Sequence, residues 1–151
     1  MNIRTPFFLK WFYPSITCRI PTAEKKLFLT FDDGPIPDLT SQVVELLKNY
    51  KAKATFFCVG DNVAKHPKEY ALLQKAQHAI GNHTQHHVNG FKTSLNDYLQ
   101  EVSEASKHIS STLFRPFGER VSKLDNAWFS RGRSLQVDIM RPIADFGSHG
   151  I

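Results

Sequence analysis

Cysteine is scarce in this chain of 151 residues. Cys18 and Cys58 lie 40 residues apart with no C-x-x-C between them, so neither a disulfide framework nor a dithiol motif is implied. Cys58 sits inside the apolar run Ala54 to Val59, where a buried thiol is expected. Long apolar runs are missing as well. Lys10, Pro14 and Arg19 interrupt the segment Phe7 to Ile20, and a membrane-spanning helix needs roughly 20 apolar residues in succession. A secretory signal is not read there either, since the apolar core Phe7-Phe8-Leu9 is short and no small-residue cleavage site follows it. Trp11, Phe12 and Tyr13 leave an interfacial membrane contact open. The favoured expectation is that residues 1–26 pack onto the domain, in a protein of the cytoplasm or the membrane periphery. Blocks of one charge are also absent. The net charge is +5, but lysines are scattered among acidic residues, so a nucleic acid is not an expected partner.

With 41% hydrophobic and 12% aromatic residues, the chain suits one globular domain. Leu27 to Phe31, Ala54 to Val59, Ala79 to His83 and Leu113 to Phe117 are short, mostly apolar runs that end at Asp, Gly or Pro, the signature of buried parallel strands. Between the first two, Leu39, Val43, Leu46, Leu47 and Tyr50 recur at helical spacing after Asp38, which is expected to cap the first turn. Between the last two, Ser94 and Asp97 form an S-x-x-D capping box ahead of Leu95, Leu99, Val102 and Ile109. A shorter helix is expected from about His66 to Gln77. Strands that alternate regularly with helices predict an α/β fold with a parallel sheet or barrel.

Composition shifts near residue 111. Of 13 Lys and Arg residues before it two are Arg, and of six after it five are. Beyond Gly118 the alternation blurs, with one candidate strand at Leu135 to Met140. The chain is therefore read as an extension (1–26), a core (27–118) and a divergent C-terminal segment (119–151).

Three clusters carry chemistry. In T-F-D-D-G-P (Thr30 to Pro35) a strand runs into two adjacent carboxylates at its C-terminal end, where α/β folds place their sites. Alternation of side chains lets Asp32 and Asp33 take different roles, one on a metal and one on a proton. In G-N-H-T-Q-H-H (Gly81 to His87), His83 and His87 stand four residues apart after another strand. Two imidazoles and a carboxylate make a divalent-metal site with a position left for water. A His83/His86 pairing is the alternative, and His66, His78, His108 and His149 read as surface histidines. In L-F-R-P-F-G (Leu113 to Gly118), Arg115 ends a fourth strand, within reach of a carboxylate of the first cluster.

In this order, each after a strand, TFDDGP, H-T-x-x-H and F-R-P-F-G resemble the NodB-type polysaccharide deacetylases, carbohydrate esterase family 4. K-A-T-F-F-C-V-G-D-N (Lys53 to Asn62) and H-A-I-G-N-H-T (His78 to Thr84) are similar to that family's second and third strands. The resemblance runs from about Leu27 to Gly118, and implies an incomplete distorted (β/α) barrel that removes N-acetyl or O-acetyl groups from a peptidoglycan or chitin-like glycan. It assigns Asp32 as general base, with Arg115 orienting it. Asp33, His83 and His87 become ligands of a divalent metal, zinc before other ions, and a backbone N–H near Phe117 becomes the oxyanion donor.

The third motif is one residue shorter than the family's R-P-P-[YF]-G. The family's Trp-Asp and L-x-H motifs, the latter carrying a general acid, have no clear counterpart, since Val137-Asp138, Asp145 and His149 match them only faintly. The expectation is a truncated or frame-shifted product, and a remnant that binds metal or glycan without turnover is the alternative. A phosphotransfer hydrolase of the haloacid dehalogenase type needs an Asp-x-Asp spacing, which the adjacent Asp32 and Asp33 do not provide.

Overall fold

The computed structural model describes residues 27–117 and the backbone of residues 136–137. The expectations for residues 1–26 and for most of 119–151 lie outside the described residues. The elements run β1 (Leu29–Asp32), α1 (Leu39–Asn49), β2 (Ala54–Cys58), α2 (Gly60–Lys65), α3 (Pro67–Lys75), β3 (Ala79–Asn82), α4 (Leu95–Ala105), β4 (Leu113–Phe114) and β5 (Gln136–Val137). The strands form one sheet in the order β1-β2-β3-β4-β5, and every pairing is parallel. This is the expected α/β architecture, an open portion of a (β/α) barrel. Among the described residues no helix is long and apolar enough to cross a membrane.

Alternation along β2 sorts its side chains onto two faces. Ala54, Phe56 and Cys58 join Val44, Leu47, Val63, Leu73, Ala105 and Ile109 in the larger core. Phe57, fully buried, points to the opposite face, where Arg115 lies over its ring. A Cβ at Gly81 would stand 2.4 Å from the Phe57 ring, so β3 carries glycine where that ring crosses it. A smaller core of Tyr98, Leu99, Val102 and Phe114 ties α4 to β4.

Several local expectations are corrected. Of the apolar set expected along α1, Leu47 is buried in the core and Val43 packs against it, beside Thr40 and Val44, while Leu39, Leu46 and Tyr50 are exposed; the inward face is rotated from the expected one toward Thr40 and Val44. Asp38 makes no side-chain cap and has φ of 62°. Instead, its carbonyl accepts the Ser41 hydroxyl and the Gln42 amide, and Thr40 Oγ1 takes the Ile36 amide. The helix expected from His66 to Gln77 begins at Pro67, suited to the first helical position, and is preceded by the separate α2. Ser94 caps α4 as expected, accepting the Asp97 amide at 3.3 Å, but its hydroxyl then donates to the Asp97 carboxylate at 2.6 Å in place of the reciprocal backbone bond.

Candidate active site

Parallel pairing brings the C-terminal ends of β1, β3 and β4 to one edge of the sheet, and the three chemical clusters meet there. Asp32 is the last residue of β1 and pairs with Phe57. The chain then turns through Asp33 at φ of 68°, which separates the two carboxylates. Asp33 Oδ1 stands 3.1 Å from His87 Nε2 and 3.6 Å from His83 Nε2. One ligand atom from each of Asp33, His83 and His87 lies within 4.8 Å of the others, a grouping that could hold a metal ion. Thr84 and His87 also have positive φ, 70° and 55°. Such backbone in non-glycine residues costs energy and concentrates at functional sites.

The histidine ring orientations agree with metal ligation. His83 Nδ1 lies 2.6 Å from the Arg115 carbonyl; a carbonyl only accepts, so Nδ1 carries the proton and Nε2 presents its lone pair to Asp33. Burial holds His83 below the ordinary histidine range, opposed by the Arg115 carbonyl and the charge of Asp32. A neutral imidazole lone pair aimed at a carboxylate oxygen is a juxtaposition that a cation resolves, and a carbonyl behind the ring is the usual support of a metal-bound histidine. The donor set therefore fits a divalent metal.

Asp32 has a different environment. Arg115 Nη1 donates to Asp32 Oδ1 at 2.5 Å and to Thr30 Oγ1 at 3.1 Å, while the guanidinium carbon sits 4.0 Å above the Phe57 ring. Arg115 is buried. Its own amide donates to the Asn82 carbonyl, so one residue fastens Asp32 through its side chain and His83 through its backbone.

Both loops are pinned by their neighbours. The Gly60 and Asp61 amides donate to the Thr84 and Gln85 carbonyls, and Asn62 Nδ2 donates to the Asp33 carbonyl at 2.7 Å. The buried Asn82 donates to the Val102 carbonyl and Ser106 Oγ and accepts the Thr84 amide. Neither Asn62 nor Asn82 stands out in the sequence as a supporting residue; the available signal is a polar side chain at the very end of a strand for Asn82 and within the short helix that follows a strand for Asn62.

His86 turns away from the triad. Its Nδ1 and its amide both engage Glu101, at 2.9 and 2.8 Å, which leaves His83/His87 as the converging pair. His78 is a correction. It is 8% exposed, packs on Phe56, and sits at the start of β3, the opposite end from His83. Cys58 is buried and free, with burial pushing its thiol up to about 12, which suits a structural thiol. Phe117 is drawn in by its ring, 4.0 Å between centroids from His87, while its amide donates to Tyr98 Oη at 3.2 Å. Burial pushes Tyr98 up to about 12, so that phenol is neutral.

Residues 19–121 match the family described as polysaccharide deacetylase. The chain belongs to that family. It is 38% identical over 108 residues to a peptidoglycan-N-acetylglucosamine deacetylase of Bacillus cereus, covering 68% of this chain and 51% of the relative. To a chitooligosaccharide deacetylase of Azorhizobium caulinodans it is 34% identical over 127 residues, covering 83% and 60%. Among solved structures, a family 4 carbohydrate esterase from Streptomyces lividans in complex with acetate superposes with a TM-score of 0.67 at 27% identity, covering 75% of this chain and 61% of that one. This polysaccharide deacetylase family member thus spans between half and three-fifths of the length of these two curated relatives.

Proposed function

We propose that this chain carries the hydrolytic site of a glycan deacetylase, which releases acetate from N-acetyl (or O-acetyl) groups of an acetylated polysaccharide or oligosaccharide. The observation that carries the reading is the division of labour between neighbours: Asp33 faces two imidazoles, and Asp32 faces Arg115. Asp33, His83 and His87 would hold a divalent ion, zinc by the chemistry of two nitrogens and one carboxylate. When bound, such an ion supplies a Lewis acid for the acetyl carbonyl and acidifies a water.

The remaining work falls to the chain itself. Asp32 keeps one oxygen on Arg115 and has the other to accept the proton of the attacking water. Arg115 fixes the direction in which that oxygen points. The Phe117 amide is the proposed oxyanion donor; since it donates to Tyr98 Oη at 3.2 Å, it must exchange the phenol for the developing oxyanion. Return of the water's proton from Asp32 to the sugar nitrogen as the C–N bond breaks would leave a free amine on the sugar and acetate. Peptidoglycan and chitin-like glycans are the substrate classes acted on by the named relatives.

The test is acetate release from an acetylated chito-oligosaccharide with added zinc, alongside the metal content of wild type, Asp33→Ala and His87→Ala. Equal zinc in all three would refute the metal site. A second reading, a remnant that binds metal or glycan without turnover, is favoured by the engagement of the Phe117 amide with Tyr98. Zinc retained with no acetate released would select it.

A further inference from the structure

The two histidines of the triad are held differently. The His83 side chain is 4% exposed and has the Arg115 carbonyl against Nδ1, so the ring itself is fixed. The His87 side chain is 33% exposed. Its ring meets those of Phe117 and His83, at 4.0 and 4.9 Å between centroids, and faces Asp33 Oδ1 at 3.1 Å. None of these contacts is a hydrogen bond behind the ring, so the direction of His87 is set by its backbone.

That backbone is a short loop with left-handed residues at Thr84 and His87, a conformation that persists only where neighbours hold it. It is fastened residue by residue. The Thr84 amide donates to Asn82 Oδ1, the Thr84 and Gln85 carbonyls accept the Gly60 and Asp61 amides, and the His86 amide donates to Glu101 Oε2 at 2.8 Å. This last anchor, directly before His87, comes from α4. Glu101 Oε1 also holds the His86 ring, 2.9 Å from Nδ1; a carboxylate oxygen accepts, so Nδ1 carries the proton. The helix that supplies Glu101 is tied to the end of β3, because Asn82 Nδ2 donates to the Val102 carbonyl and Ser106 Oγ.

An ion pair with one partner 60% exposed adds little to stability, yet here both oxygens of one carboxylate are spent on a single residue beside a candidate ligand. We infer that Glu101 is a positioning residue for the metal half of the site: by gripping His86 at ring and amide, it keeps that imidazole turned outward and aims the adjacent His87 at Asp33. The choice between two neighbouring histidines as the third donor is thus made from α4. The inference rests on the metal reading above and names what selects one of its ligands.

The experiment is calorimetric titration of zinc into the metal-free full chain, for wild type, Glu101→Ala, Glu101→Gln and His86→Ala. Visible absorption of the cobalt-loaded chains and urea midpoints of the metal-free ones are measured alongside. Glu101→Ala is expected to weaken zinc binding about tenfold, the size of a lost support behind a metal ligand, and to change the cobalt absorption, while the metal-free urea midpoint stays near wild type. Glu101→Gln should restore most of the affinity and the wild-type cobalt spectrum, since its amide oxygen still accepts the His86 amide. His86→Ala keeps that backbone bond and should bind zinc like wild type. Glu101→Asp, which retains the charge but not the reach, should weaken binding as Ala does and carries the test if Glu101→Ala does not fold. Zinc affinity and cobalt spectrum unchanged in both Glu101→Ala and Glu101→Asp would overturn the inference and leave the metal reading intact. A loss in His86→Ala as large as in Glu101→Ala would also overturn it, by making His86 itself a donor. Failure of wild type to take up zinc or cobalt would overturn the inference together with the metal reading.

Discussion

Asp32 and Asp33 are joined by one peptide bond, yet one carboxylate is held by a buried guanidinium and the other faces two imidazoles. The backbone explains the split. Asp32 still belongs to β1 and pairs with Phe57, so the sheet fixes its direction, whereas Asp33 at φ of 68° has left the strand and is anchored through its carbonyl by Asn62. The two clusters are not independent, because Arg115 supports both, through its guanidinium on one side and its carbonyl on the other. On the proposed function, metal binding and proton transfer would fall to separate carboxylates that share one structural post, and substitutions on either side should show how complete the separation is.

The largest effects are expected on the metal side. Asp33→Ala and His87→Ala each remove a donor atom outright and should lower zinc affinity by more than about 100-fold, with acetate release abolished; elemental analysis after dialysis checks this. Asp32→Asn breaks the comparison the other way. It keeps a side chain of the same shape but cannot take the proton, so turnover should fall by about 10²–10⁴-fold while bound zinc stays at the wild-type level. Loss of zinc in Asp32→Asn would mean that the two carboxylates act as one ligand set.

Arg115→Lys tests the shared post. Lysine retains a charge, but it loses the planar group that lies on Phe57 and reaches Asp32 and Thr30 together. Stability should drop by about 1–3 kcal/mol, as for a lost charged hydrogen bond, read as a lower urea midpoint with an unchanged slope. Because the backbone carbonyl behind His83 persists in the variant, zinc binding should suffer less than turnover.

The site's residues were legible in the sequence because each motif follows a strand directly, and a parallel sheet delivers all such positions to one edge. Thr30 to Pro35, Gly81 to His87 and Leu113 to Gly118 therefore needed no long-range knowledge to be placed together. What escaped the sequence depends on contacts between distant segments. Asn82 reaches Val102 and Ser106 across 20 and 24 residues, and Tyr98 meets the Phe117 amide across 19. The inward face of α1 was legible only in part for a related reason: Val43 and Leu47 pack inward, but periodicity does not fix how the helix is rotated on the sheet, so Leu39, Leu46 and Tyr50 stay exposed.

His78 provides the smallest and most separable effect, at the end of the sheet away from both clusters. Its ring is buried against Phe56, neither ring nitrogen has a hydrogen-bond partner among the described residues, and burial, then the charge of Lys53, holds it below the ordinary histidine value of 6.5. The unfolded chain therefore takes up this proton first as pH falls, and the unfolded state gains relative to the folded one. The contribution of neutral His78 is whole above pH 6.5 and is lost as pH drops below that value toward the depressed folded one. His83 is held down in the same direction by burial, so in metal-free protein both histidines add to the slope. His78→Phe removes one of them while keeping an apolar ring over Phe56. Urea midpoints measured above and below pH 6.5 should converge in that variant relative to wild type. An unchanged pH dependence would mean that His78 gains water or a partner on protonation and is not the acid-sensitive point of this edge.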